Sequence, residues 1–267
     1  MRDLSTHSSP TPTIHQTKRY NKDNDMILRP RVSTDEAFVA DLSKQIVALT
    51  KLQGQTSWDP VTHGGSCHPH GIRHILKKAG VTEGNMKHFF DFGGGLCVTG
   101  VDVARNYPSC QVHCVEVDDA RVRAANKLKD RYGLENLNIY QNNLKSIICN
   151  EPWLESLEEK GVVIFCNNIN FDWELDRAVE EMILQTVALK DAMIVTLKQS
   201  FSDRAFKSFI KEQRHVEEAV PKYFFAWLGN SRAPAHIFDP KMPKTNNEVT
   251  AKFTFYTYKI KSRLNLW

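Results

Sequence analysis

The residues best suited to chemistry in this chain are two acids, a run of glycines and a pair of carboxamides. Asp91 lies in the apolar stretch Phe89-Phe90-Asp91-Phe92, immediately before Gly93-Gly94-Gly95, and Glu116 closes a second apolar stretch, Val112-His113-Cys114-Val115, 25 positions later. A buried strand handing over to a helix needs glycines where the backbone turns tightly and approaches a ligand. An acid at the end of the next strand is placed to hold the two hydroxyls of a ribose. Together these features predict a cradle for a nucleoside cofactor. Asn167 and Asn168 follow another apolar stretch, Ile164-Phe165-Cys166. At the edge where an α/β sheet binds its ligands they are polar but uncharged. A carboxamide oxygen can orient an amine there without a negative charge that would keep the amine protonated.

Spacing narrows the cofactor. A dinucleotide fingerprint, G-x-G-x-x-G, would need glycine or alanine at position 98, where Val98 stands. An acid two residues before the first glycine instead resembles the first motif of class I S-adenosylmethionine-dependent methyltransferases, in which carboxylates face a cationic amino-acid moiety and a ribose. S-adenosyl-L-methionine is therefore the expected cofactor.

The acceptor side carries a second resemblance. Asn167-Asn168-Ile169-Asn170-Phe171, followed by the acidic helix start Asp172-Trp173-Glu174-Leu175-Asp176, resembles the disruptor-of-telomeric-silencing family of non-SET histone H3 lysine methyltransferases, over roughly residues 58–260. Asp91, Gly93, Gly95 and Glu116 match that family's cofactor motifs. Phe165, Asn167, Asn168 and Phe171 match its lysine-channel segment, with Asn167 at the catalytic position and Asn168 on the cofactor side, and Tyr256 aligns with the aromatic that closes the channel. Leu197-Lys198-Gln199-Ser200-Phe201 loosely resembles the family's Ser-Lys-x-Phe turn. Several positions depart from the pattern. Thr62-His63-Gly64-Gly65-Ser66 keeps a glycine (Gly64) and a hydroxyl (Ser66) of the family's first loop and lacks its Tyr and Glu. Cys166 and Ile169 replace Val and Phe, and Asn143 and Leu144 stand in for the adenine-side Asp and Phe. The resemblance implies methylation of a lysine in the core of histone H3 on nucleosomes, in the nucleus.

These side chains need a scaffold, and the pattern around them supplies one. Strands are expected at Phe89–Phe92, Gln111–Val117, Leu137–Gln141, Gly161–Cys166 and Ala192–Leu197. Helices are expected at Val98–Asn106, Ala120–Tyr132, near Trp153–Glu158 and at Glu174–Leu189. Strands separated by helices imply right-handed crossovers and a parallel sheet covered on both faces. The period-two run Thr250–Ile260 reads as a late strand, matching the antiparallel hairpin that closes a class I methyltransferase sheet. The expected fold is thus α/β and Rossmann-like, with a mostly parallel seven-stranded sheet. A small helical extension precedes it: Phe38, Leu42, Ile46, Leu49 and Leu52 recur at helical spacing, and a second helix is expected at Ile72–Ala79. The organisation predicted is a flexible tail over 1–30, a helical extension with a cofactor-covering loop over 31–80, and a catalytic core over 81–267. A long loop is expected at 230–247.

Composition sets the remaining bounds. With 267 residues and 41% hydrophobic content the chain can bury one substantial core. No apolar run reaches the roughly 20 residues that span a bilayer, so no membrane partner is expected. A reducing compartment is expected, and with it six free thiols. The histidines and Cys67 between Trp58 and Gly71 lack a Cys-x-x-Cys pair and any regular ligand spacing, so no metal is expected. Residues 190–267 carry 14 basic against 7 acidic side chains, whereas 33–189 carry 15 against 21. That asymmetry suits nucleosomal DNA or an acidic histone surface as a partner of the C-terminal third and the N-terminal tail, and a monomer is expected. Two other functions fit the same residues: a methyltransferase acting on RNA, DNA or a small molecule, and a noncatalytic methyltransferase-like binding module.

Overall fold

The computed structural model describes residues 35–52, 67–144, 161–186, 189, 191–201, 204–221 and 250–260. The tail over 1–30, the loop carrying Gly64 and Ser66, the helix expected near Trp153–Glu158 and the loop at 230–247 lie outside the described residues.

Five strands run parallel: β1 (His88–Phe92), β2 (Gln111–Glu116), β3 (Leu137–Gln141), β4 (Val162–Cys166) and β5 (Met193–Thr196). Two longer strands, β6 (Ile210–Pro221) and β7 (Thr250–Ile260), form an antiparallel ladder, and β7 also pairs antiparallel with β5. The sheet order is β3-β2-β1-β4-β5-β7-β6. β1 and β4 are neighbours although two strands separate them in sequence, so the strand order reverses between them. That switch point is where open α/β sheets bind ligands, beyond the carboxyl ends of the strands.

Side chains alternate between the two faces and build two cores. On one face Phe89, Val112, Cys114, Val163, Phe165 and Val195 pack under α1 (Asp35–Leu52), α2 (Pro69–Lys78), α3 (Val98–Asn106) and α4 (Asp119–Tyr132). On the other, Phe90, Phe92, Val115, Ile164 and Ile194 pack under α5 (Trp173–Gln185) through Val179, Met182 and Ile183. A last short helix, α6 (Arg204–Lys207), precedes β6. Helices therefore cover both faces of a mostly parallel seven-stranded sheet, which is the Rossmann-like methyltransferase architecture. Among the described residues, no helix is long and apolar enough to cross a membrane.

The N-terminal helices belong to the same body as the sheet: Arg31–Trp267 forms one compact unit. α1 buries Phe38, Leu42, Ile46 and Leu49, and Phe38 meets Tyr132 of α4 edge-on at 5.1 Å. Arg73 of α2 ties the layer together, because its guanidinium reaches Asp35 of α1 at 2.6 Å and the fully buried Asp102 of α3 at 2.9 Å. Burial pushes Asp102 up despite the Arg73 cation beside it. Local signals set the helix ends: His68 caps α2, with Pro69 at the first helical position, and Asp118 and Asp172 cap α4 and α5.

Two features differ from expectation. The partner strand of β7, β6, was not located from the sequence. Lys211, Glu212, Arg214, Glu217 and Glu218 break any apolar alternation, and the strand is held by its eleven-register ladder to β7. The cysteines are not all free. Cys97 and Cys114 are joined in a disulfide, with Cα atoms 6.3 Å apart, while Cys67, Cys110 and Cys166 are free and buried. Compartment reasoning could not see this, since the pairing arises from the turn after β1 folding back onto β2.

Candidate active site

β1 delivers Asp91 to the switch point, where burial pushes its carboxyl up to about 7. A hydrogen bond from the Gly100 amide opposes the shift and the nearby Glu116 charge reinforces it. The chain then turns through Gly93 and Gly95, both at positive φ (72° and 58°). Gly93 and Gly94 amides donate to Val115 O at 3.0 and 3.1 Å, which lashes the turn to the end of β2. Two of the three glycines leave little space for a side chain. A Cβ at Gly94 would lie 3.1 Å from an Asp91 carboxylate oxygen, and one at Gly93 would lie 3.0 Å from the Phe171 ring.

Glu116 faces the turn from β2. Oε2 accepts from the Gly95 amide at 2.8 Å and Oε1 from the Asp118 amide at 3.0 Å. A carboxylate offers about four lone-pair sites, so each oxygen keeps capacity for a ribose hydroxyl. Leu144 is buried with Cδ1 4.0 Å from the Gly93 Cβ position, so it borders the same turn, while Asn143 is exposed beside it. A glycine turn crowded at Gly93 and Gly94 and open at Gly95, a buried acid and a strand-end acid fit the amino-acid and ribose ends of S-adenosylmethionine. Asp91, Gly93, Gly95, Glu116 and Leu144 would hold it. Gly64 and Ser66 lie outside the described residues.

Asp91 also lies near the disulfide. One Asp91 carboxylate oxygen and the sulfurs of Cys97 and Cys114 fall within 4.8 Å of one another, a grouping of a kind that can hold a cation. Here the two sulfurs are bonded to each other, so neither is a thiolate ligand.

The acceptor side is built by the chain leaving β4. Asn167 is half-buried at the strand end, a 3₁₀ turn follows at Asn168–Asn170, and Phe171 packs back toward Phe92 and Leu144. The Phe171 ring occupies the space that a side chain at Gly93 would need, so the two halves of the site come together at this aromatic. Tyr256 of β7 pairs in register with Thr196 of β5 and stacks on His215 at 4.9 Å, on the same face as Phe171.

Two residues sit differently from the sequence expectation. Phe165 is fully enclosed on the α3 face, stacked on Phe89 at 6.4 Å, and is not brought together with Phe171 and Tyr256. Strand alternation is the reason: Phe165 lies abreast of Asp91, on the face opposite Ile164 and Cys166. Asn168, expected on the cofactor side, is 1% exposed and spends its carboxamide on protein partners. It donates to Asp176, Ser200 and Lys198 O, and accepts from the Leu197 and Lys198 amides. Asp176, Lys198 and Ser200 are the neighbours that motif spacing did not reveal.

A sequence profile described as histone methylation protein DOT1 matches residues 45–223. The chain belongs to the DOT1 family. Membership makes it a methyltransferase with S-adenosylmethionine as its cofactor. No curated protein sequence matches it. Solved structures of similar fold include TrmN from Thermus thermophilus (12% identity, 74% of this chain and 49% of that one, TM-score 0.44). Others are M. capricolum TrmK bound to S-adenosyl-homocysteine (10%, 71% and 67%, 0.42) and precorrin-6y C5,15-methyltransferase from Geobacter metallireducens (12%, 71% and 86%, 0.40).

Proposed function

We propose that this DOT1-family protein methylates a lysine in the core of histone H3 on nucleosomes, as a nuclear enzyme acting as a monomer. The observation that carries the reading is that the Phe171 ring fills the space beside Gly93 that a side chain would take, which brings the Asn167 segment up to the cofactor turn. In this proposal residues 81–267 are the catalytic core, 31–80 the extension with a cofactor-covering loop, and 1–30 a tail. The basic side chains of 190–267 meet nucleosomal DNA or an acidic histone surface.

When bound, the cofactor supplies an electrophilic methyl group on a sulfonium. The protein's task is to bring up a neutral amine in line. Lysine ionises at about 10.4 in water, and an apolar entrance bordered by Phe171 and Tyr256, close to a sulfonium, disfavours the ammonium by desolvation and like-charge proximity. The Asn167 carboxamide accepts a hydrogen bond from the amine and orients its lone pair without adding a charge that would restore the proton. Phe171 and Tyr256 exclude water from the entrance. Asn143 and Leu144 line the adenine side, and Phe165 supports Asp91 from within the core. Holding the two partners aligned supplies on the order of 7–11 kcal/mol of the barrier, so positioning outweighs acid–base chemistry in this scheme.

The test is mass-spectrometric methylation of recombinant nucleosomes, free histone H3 and RNA by wild type and Asn167→Ala. Wild type is expected to modify an H3 lysine on nucleosomes. Asn167→Ala is expected to lose transfer while its calorimetric affinity for S-adenosylmethionine holds. Full activity in the variant, or methylation of RNA in place of nucleosomes, overturns the assignment.

A further inference from the structure

The acceptor segment is held by a closed ring of contacts that crosses three elements. Asn168 Nδ2 donates to Asp176 Oδ1 of α5 at 3.0 Å, and Lys198, just past β5, pairs through Nζ with Asp176 Oδ2 at 2.5 Å. The same ammonium donates to Phe171 O at 2.8 Å, and the Phe171 amide returns to Asn168 O at 3.1 Å. The main chain of Lys198 closes the circuit again, since its amide donates to Asn168 Oδ1 at 2.8 Å and its carbonyl accepts from Asn168 Nδ2 at 3.3 Å. One residue thus grips both ends of the segment Asn168–Phe171, its backbone on the first residue and its side chain on the last.

We infer that Lys198, acting through Asp176 and Asn168, is a positioning residue that sets the acceptor segment against the cofactor turn. The inference rests on the methyl-transfer reading above. Phe171 is the link: its carbonyl is fixed by the Lys198 cation, and its ring fills the space beside Gly93 that a side chain there would need. A neutral side chain at 198 leaves the Phe171 carbonyl without this donor and Asp176 without this counter-charge. The 3₁₀ turn then loses a tether to β5, and Asn167, the residue before it, loses its fixed approach. Lys198 keeps 40% of its side chain exposed and Asp176 15%, so the pair stands at the rim of the site, where water can still reach it. This arrangement suits a clamp on geometry better than a source of fold stability, because partly exposed pairs contribute little to stability. The influence of Lys198 on Asn167 and the cofactor turn runs through the peptide it holds.

The experiment compares wild type with Lys198→Met and Lys198→Arg on nucleosomes, measuring kcat, KM for the nucleosome, calorimetric affinity for S-adenosylmethionine, and hydrogen exchange at the Phe171 amide. Displacements near 1 Å cost up to about a hundredfold in rate, so Lys198→Met is expected to lower kcat by about ten- to a hundredfold while cofactor affinity changes by less than about threefold. Faster exchange at the Phe171 amide is expected alongside. Lys198→Arg keeps a cation with donors for both oxygens and is expected to restore most of kcat. Unchanged kcat and unchanged Phe171 exchange in Lys198→Met overturn the inference. So does a parallel loss of cofactor affinity and kcat, which marks a general structural role. If wild type methylates no nucleosomal lysine, the function reading fails. The exchange measurement then still decides this clamp: retained Phe171 protection in Lys198→Met refutes it, and lost protection with rescue by arginine supports it.

Discussion

Asp91 makes cofactor affinity a function of pH, and the size of the effect follows from its surroundings. Burial pushes its carboxyl up to about 7, with the Gly100 amide opposing and Glu116 reinforcing the shift. A cationic amino group placed beside it draws the carboxyl back to its ionised form, so binding below neutral pH releases a proton. With an apo value of about 7, the ionised fraction falls from about nine-tenths at pH 8 to about one-tenth at pH 6, so the dissociation constant for S-adenosylmethionine should weaken about tenfold over that interval. Titration calorimetry at pH 6, 7 and 8, in two buffers of different ionisation enthalpy, reads both quantities. The carboxyl's share should be about 0.9 proton released per cofactor at pH 6 and about 0.1 at pH 8, to which the cofactor's α-amino group, ionising near 8, adds an uptake at pH 8 that free cofactor titration subtracts. Asp91→Asn should bind weakly at every pH with no proton release. The linkage also marks the apo fold. A carboxyl whose folded value lies above the 3.8 of the free group imposes no penalty below about pH 4, and costs stability progressively as pH rises through 7, up to a ceiling of about 4 kcal/mol. Apo Asp91→Asn should therefore gain stability over wild type at pH 8 and lose that gain near pH 4. A flat wild-type affinity across pH 6–8 without proton release would refute this account of Asp91.

Two further outcomes concern the fold. Arg73→Leu removes the cation from the completely buried Asp102 and the shorter of the two α2 contacts to Asp35, leaving His70 at 3.7 Å, so unfolding by urea should show a loss of about 3 kcal/mol, and Asp102→Asn in the same background should recover part of it. An unchanged midpoint would remove the Arg73 hub from the list of stabilising contacts. Reducing Cys97–Cys114 should expose two more titratable thiols in the unfolded chain and lower stability by about 3 kcal/mol, the entropy expected for a loop of separation 17; equal thiol counts before and after reduction would refute the bond.

The fold was legible where burial dictates residue type. β1, β2, β4 and β5 lie inside the sheet and read as apolar runs, and the helical segments between them imply the parallel topology. β6 was hidden because an outer strand is held by main-chain bonds that place no demand on its side chains. The glycine turn and its two acids were legible as a cradle because close backbone approach admits few residue types. Phe165 shows the limit of adjacency in sequence. Strand alternation sends it to the opposite face from its neighbours Ile164 and Cys166, and a motif match does not track which face a strand residue takes. Asn168 shows another limit. Its type is what the site needs, yet its partners Asp176, Lys198 and Ser200 come from separate elements, 8 to 32 residues away, and only the folded sheet brings them within reach.

The charged character of β6 has a use of its own. Among the described residues β6 is the last strand of the sheet, and a strand with one unpaired side presents a row of open amides and carbonyls, a template onto which another chain can add and begin aggregation. In β6, Lys211, Gln213, Arg214 and Glu217 are exposed, while Glu212 pairs with Lys259 and Glu218 with Lys78. A second copy docking along this strand would have to strip water from those charges and set like charges opposite one another. Replacing them with valine or threonine would improve the strand's intrinsic preference and leave the ladder to β7 intact. It would also convert the rim of the sheet into an adhesive edge, so in this fold the sequence cost of a poor strand former is offset by colloidal stability.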